Sequence, residues 1–439
     1  MEREIFSKEM VAECAASLNI PDLSNATIAD VLGVAVALES RTGVPFIRMD
    51  QGIPGLPASE IGIAAEKKAL DDGVANKYPP TAGLPALKSA TSRFLKAYLD
   101  VDVSPASCIP GVGSASISFA AFAITTQLDE RKDTVLFIDP GFPVQKAQLN
   151  ILGVKHRSFD VYAYRGKALR EKLEECFSSG DIASVIYSNP NNPAWISLTE
   201  DELRTVGELA DKYGAVVLED LAYFCMDSRS DFGKPFKAPY PPTVARYTDN
   251  YILMLSASKM FSYAGQRLGL ACISDVLAVR KFPLLAARYS DSGIFAQTYA
   301  GSILYTISAG TAFSTQYAVA AMMDAACDGK YDFVGDNREY ARRAERMKAI
   351  FIRNGFHIVY DEDCGQPIGD GFFFSIGYGK MSGAELMKEL LYYGISSISL
   401  STTGSSREGV RACVSKMTPE MFPLLEERLK AFNSDHSGL

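Results

Sequence analysis

The sequence predicts an α/β protein in which a large doubly wound domain, built on a mostly parallel sheet, is joined to a smaller α+β domain. Three observations lead there. Between about residue 110 and residue 275, short apolar runs alternate with helical patterns. After about residue 325, that alternation gives way to a long charged helical pattern and scattered short strands. The 439 residues, 47% hydrophobic and 22% charged, also exceed one simple core, since domains hold roughly 100–200 residues each.

In chain order, "MEREIFSKEMVAECAAS" mixes charges into a helical pattern and lacks the apolar core of a signal segment. Asp50–Glu60 and Lys77–Pro85, rich in glycine and proline, read as loops ahead of helices. "SPASCIP" reads as a poor strand, and the small residues of "GVGSAS" that follow it open a helical pattern. "TVLFID" (134–139), "IASVIYS" (182–188), "AVVLED" (215–220), "YILMLS" (251–256) and "LGLACIS" (268–274) read as strands. Their near-continuous hydrophobicity suits strands buried on both faces. One intervening helix is fully signed: Thr199 and Glu202 form a capping box, Leu203, Val206, Leu209 and Ala210 form an apolar stripe, and Gly214 ends it. Further on, "NREYARRAERMKAIFIRNG" reads as a long helix, and "HIVYD", "FFFSIGYG" and "GVRACVS" as strands. Thr418-Pro419 reads as the start of the last helix. The expected division is residues 50–320 for the large domain, with 1–49 and 321–439 forming the small one.

Charge and cysteine content narrow the function. With 44 basic against 52 acidic residues, the net charge of -8 argues against nucleic acid or an acidic membrane as partner. Eight scattered cysteines without a CxxC pair read as reduced, buried thiols rather than disulfides or metal ligands. No run approaches the roughly 20 apolar residues of a membrane span. A cytoplasmic protein without a metal is expected.

Ligands of open parallel sheets sit beyond the carboxyl ends of the strands. The polar residues there are Asn189-Pro190-Asn191-Asn192-Pro193, then Asp220 with Tyr223, then Ser256, Ser258 and Lys259, and Gly113-Ser114-Ala115 at a helix start. Each alone has an ordinary reading: a turn, a cap, a core phenol, a surface lysine. Arg267 alone reads as a surface ion-pair member. Their order and spacing give the set its weight.

That set resembles the fold type I pyridoxal-phosphate enzymes, and within them the class I/II aminotransferases, from about Gly52 to Arg411. "SASK" followed by "GQRLG", with Arg267 eight residues beyond Lys259, is similar to the family's lysine motif, and "EDLAY" to its aspartate–tyrosine motif. The resemblance implies an aspartate aminotransferase-like fold with a sheet of about seven strands. It implies that Lys259 carries pyridoxal 5'-phosphate as a Schiff base and then serves as the base, and that Asp220 pairs with the ring nitrogen. Tyr223 and Asn192 would bond the ring's 3-oxygen, and Phe142 would stack on the ring. The phosphate would rest on Gly113, Ser114 and Ala115, with Ser256 and Arg267 completing the cup. Arg411 would take the substrate α-carboxylate beside Asn192. Tyr78 would reach the phosphate of a neighbouring subunit, which implies a homodimer with a shared site. The substrates would be an amino acid and a 2-oxo acid, and a lyase or decarboxylase on the same cofactor is the alternative.

One departure stands out. Where the family commonly has threonine and glycine, this chain has Ala194 and Trp195, its only tryptophan. The indole either narrows the substrate pocket or covers the carboxylate site, or else it packs away from the cofactor. A nicotinamide-binding reading of "GVGSAS" lacks a third glycine, where Ser116 stands. A fused DNA-binding regulator lacks room upstream of Gly52.

Overall fold

Seven strands form the central sheet of the computed structural model, which describes residues 4–437. Met1–Arg3, at the head of the expected helical pattern, and the last two residues lie outside the described residues. The strands are β1 (Cys108–Val112), β2 (Thr134–Asp139), β3 (Lys155–Asp160), β4 (Ile182–Ser188), β5 (Val216–Leu221), β6 (Tyr251–Ser256) and β7 (Leu268–Ile273). Their spatial order is β1-β7-β6-β5-β4-β2-β3. Only β7 runs antiparallel to its neighbours. Its amino end therefore arrives at the edge where the other strands finish, with Ser256 opposite Gly269 and Val112 opposite Leu268.

Alternate side chains of each strand enter two cores. Val185, Val217, Leu253 and Leu255 pack with Phe94, Leu203 and Val319 on one face. Ile186, Leu218, Ile252 and Met254 pack with Ile117, Phe122 and Tyr299 on the other. Each aliphatic side chain so buried contributes about 1.5–3 kcal/mol. The capping box of Thr199 and Glu202 forms, the helix runs Glu200–Tyr213, and Gly214 closes it at φ 62°.

Two strands differ from expectation. β1 contradicts the poor-strand reading of "SPASCIP": Pro110 is tolerated because β1 is an edge strand that pairs only with β7. β3 is the opposite edge, and its residues Lys155–Ser158 are exposed, so the continuous apolar signal is missing there.

A third core joins the two ends of the chain. Phe6, Val34, Leu38 and Ile47 pack with Tyr340, Phe351, Phe373, Leu390 and Phe432. It covers a four-stranded antiparallel sheet of β8 (Phe356–Ile358), β9 (Phe373–Tyr378), β10 (Ile398–Ser399) and β11 (Val410–Cys413), ordered β10-β11-β9-β8. The last helix is Met421–His436, which begins two residues beyond Pro419, without a side-chain cap. Among the described residues no helix is long and apolar enough to cross a membrane.

Candidate active site

Lys259 sits on a one-turn helix, Ala257–Met260, directly after β6, and the Ser256 hydroxyl caps that turn by accepting from the Ser258 amide at 3.3 Å. Its amine lies 6.0 Å from the centre of the Phe372 ring. Burial lowers its pKa to about 8, and Arg267 and Arg411 add to that by repulsion. Cys413 would counter this only as a thiolate, and burial raises the pKa of that thiol.

Asp220 is buried near the end of β5, opposite Ser188 of β4. Gln145 donates to its Oδ2 at 2.9 Å and the Ala222 amide to its Oδ1 at 3.1 Å. Burial outweighs both donors and lifts its pKa to about 6. Among the described residues it has no ion-pair partner, so the pocket holds a carboxylate without a cation.

Arg411 is the converse. It projects from β11, only 2% exposed, with its guanidinium 4.7 Å from the centre of the Phe373 ring. It donates to Asn192 Oδ1 at 3.3 Å and to the Asp50 carbonyl, while its Nε has no partner. The Asp50 carboxylate is already bonded by Arg48, at 3.0 Å twice, and by Ser396. The guanidinium thus has hydrogen bonds but no counter-ion among the described residues.

A cradle closes the far side. Gly113 starts the helix Gly113–Thr125 at φ 70°, and a Cβ there would lie 2.4 Å from an Arg267 guanidinium nitrogen. A Cβ on Gly269 would lie 2.7 Å from the Ser114 amide. Only glycine at both places lets β7 and Arg267 meet the helix start, where unpaired amides and the helix dipole favour an anion. Tyr223 is buried near Asp220 and Arg411, its ring 5.5 Å from Trp195 and 5.3 Å from Phe373, and burial raises its pKa.

The family model for aminotransferase class I and II matches residues 45–429. The chain belongs to the class I and II aminotransferases. Over 212 residues it is 27% identical to the aspartate aminotransferase of Pyrococcus horikoshii, covering 47% of this chain and 50% of that one. Over 248 residues it is 26% identical to nicotianamine aminotransferase 1 of Oryza sativa subsp. japonica, covering 55% and 48%. The chain spans about half the length of the curated relatives it matches. Two solved structures share the fold: the aspartate aminotransferase from Thermus thermophilus with maleate, and the alanine aminotransferase from Pyrococcus furiosus. Their TM-scores are 0.71 and 0.73, both at 19% identity, over 93% of this chain and 96% and 97% of theirs.

In this chain the fold gathers Lys259, Asp220, Tyr223, Asn192, Arg411, Ser256, Arg267 and Gly113–Ala115 where the strands of the central sheet end. Phe142 is half-buried just ahead of the helix Pro143–Leu152, whose next turn supplies Gln145. Tyr78 stands apart, 83% exposed on its loop. Sequence reasoning missed Gln145, Phe372, Phe373 and Cys413. Gln145 had one signal, its place one turn after Phe142 on the same helix face. Trp195 adopts the left-handed conformation that suits glycine, φ 62°, and its ring is buried against Tyr223, Phe373 and Gly371.

Proposed function

We propose that the protein is a pyridoxal-phosphate-dependent aminotransferase that moves an amino group between an amino acid and a 2-oxo acid at Lys259. The observation that carries this reading is a half-buried lysine beside a buried arginine without an anion, at the same strand ends as a buried acid without a cation, the lysine's pKa being lowered to about 8. Pyridoxal phosphate fits that donor set, and when bound it supplies an electron sink for the substrate's Cα.

The chain's residues do the rest. Asp220 would pair with the protonated ring nitrogen, which would favour the ionised carboxylate that burial alone disfavours. With Oδ1 taken by Arg411, Asn192 offers its amide N–H to the ring's 3-oxygen, beside the Tyr223 hydroxyl. Gly113, Ser114 and Ala115 offer helix-start amides to the phosphate, with Ser256 and Arg267. Phe142 would stack on the ring. Arg411 binds the substrate α-carboxylate through its free Nε edge. Lys259, neutral in a fair fraction near pH 8, takes the proton from Cα.

The reading extends to a homodimer in which Tyr78 serves the neighbouring site. In its support, Tyr78 is 83% exposed, and its neighbour Pro79 lies against Gly310, a few residues after the exposed Tyr305 and Ile307. Residues 50–320 form the large domain, and 1–49 with 321–439 the small one that carries Arg411. Eight free cysteines support a cytoplasmic setting.

The test is single-turnover chemistry. Protein loaded with the cofactor and treated with borohydride carries the adduct on Lys259 by peptide mapping. A separate, unreduced sample of the loaded protein, given an amino acid and no acceptor, releases one equivalent of 2-oxo acid per site and stops. Continuous release of ammonia or carbon dioxide would identify a lyase or decarboxylase instead.

A further inference from the structure

Trp195 occupies a backbone position that favours glycine, yet it carries the largest fully buried side chain in the protein. The residue that accommodates it is Gly371. No positive φ at Gly371 demands glycine, but a Cβ there would lie 2.0 Å from Cζ2, 2.1 Å from Cε2 and 2.5 Å from Nε1 of the indole. Two departures therefore match: a bulky ring where the backbone suits none, and a bare backbone where only the ring requires one.

The pair joins the two halves of the site. Trp195 lies on the loop that leaves β4, and its amide donates to the Asn191 carbonyl at 3.0 Å, next to Asn192. Gly371 directly precedes Phe372 and β9, where Ser375 sits opposite Arg411 of β11. The indole also meets the Phe373 ring at 6.3 Å, the ring that carries the Arg411 guanidinium on its other contact. At the margin, the Asp363 carboxylate accepts from the Ser197 amide at 3.1 Å and from Arg165 and Arg229 at 2.6 Å each. Polar bonds thus hold the rim of this junction, and the indole fills its centre.

We propose that Trp195 and Gly371 form a key and notch that fixes β9 and β11 against the Asn192 loop, making Trp195 a positioning residue for Arg411. The proposal rests on the reading of Arg411 as the carboxylate site. A carboxylate is bound alike in ground and transition states, so a displaced Arg411 raises KM for the amino donor and leaves kcat nearly unchanged.

Because Trp195 is the only tryptophan, its fluorescence reports the junction without any turnover. In cofactor-free protein, Gly371→Ala drives a methyl group into the indole, and the emission shifts to longer wavelength. In the loaded enzyme, Gly371→Ala and Trp195→Gly each raise KM roughly tenfold, the scale of coupled contacts. Added to Trp195→Gly, the change Gly371→Ala has less than about a twofold further effect, because the notch is already empty. Trp195→Phe, which keeps an aromatic key, falls between. A folding defect lowers the amount of cofactor-bound protein without moving KM, so the two are separable. Unchanged emission and KM in Gly371→Ala, or KM factors that multiply in the double variant, overturn the key and notch. If the unsubstituted protein binds no cofactor at Lys259, the function reading falls first, and Arg411 loses the role that Trp195 is said to position.

Discussion

Asp220 and Lys259 each carry a cost that cofactor-free protein cannot relieve. Folded Asp220 keeps its proton to about pH 6, while its unfolded value is 3.8. Folding therefore takes up a proton between those values, and stability falls as pH rises through that window. Above it the full cost stands, about 3 kcal/mol. Asp220→Asn is expected to stabilise cofactor-free protein by about that much at pH 7.5, with the gain vanishing below about pH 4, while weakening cofactor retention. Gln145 can turn its amide to suit the new side chain. Urea unfolding at the two pH values checks this. Lys259 has the mirror property: its amine becomes nucleophilic near pH 8 instead of 10.5. Modification of cofactor-free protein by an amine-directed reagent, read by peptide mapping, is expected to reach half its maximal rate at Lys259 near pH 8; a midpoint near 10.5 would show a solvated amine. Both residues were legible in the sequence because "EDLAY" and "SASK" place them right after apolar runs. Gln145 was not, since its one signal, a place one turn after Phe142, does not reveal Asp220 as its neighbour.

At the level of elements, legibility followed burial. The apolar runs at 134–139, 182–188 and 251–256 became β2, β4 and β6 residue for residue, because strands covered on both faces announce themselves. The edge strands β1 and β3 carry a proline and a run of exposed polar residues, and they hid. The helix Glu200–Tyr213 was read with its cap, yet the second duty of Glu202 was not visible locally. Besides bonding the Thr199 amide at 2.9 Å, its carboxylate accepts from Arg165 at 2.8 and 2.9 Å and from the Gly166 amide at 2.7 Å. Burial pushes this carboxyl up, but Arg165 and the backbone donors outweigh it, and its pKa ends below the ordinary value. Glu202→Ala removes a cap and leaves half-buried Arg165 with Asp363 as its remaining ion-pair partner, beside the Ser197 carbonyl. It is expected to cost about 3 kcal/mol. The lower denaturation midpoint should be seen near neutral pH and shrink in acid, where the unsubstituted carboxylate also loses its charge.

For the whole molecule, the doubly wound class was legible from alternation alone, whereas the joining of the chain's two ends was not, since nothing local tells Phe6 that it will meet Tyr392. The same limit applies to Tyr78. Its loop could be quoted from the sequence, but within one chain its ring is 83% exposed. If it acts on a neighbouring subunit, the defect of Tyr78→Phe and the defect of Lys259→Ala belong to different chains of the same site. Mixed and allowed to exchange subunits, equal amounts of the two variants give hybrids as half of the dimers. Each hybrid holds one site with Lys259 from one chain and Tyr78 from the other, so about a quarter of all sites are whole. Activity at limiting cofactor is expected to recover toward that fraction on mixing. A ring that served its own chain's site would leave every Lys259-bearing site short of its Tyr78 hydroxyl, and mixing would restore nothing.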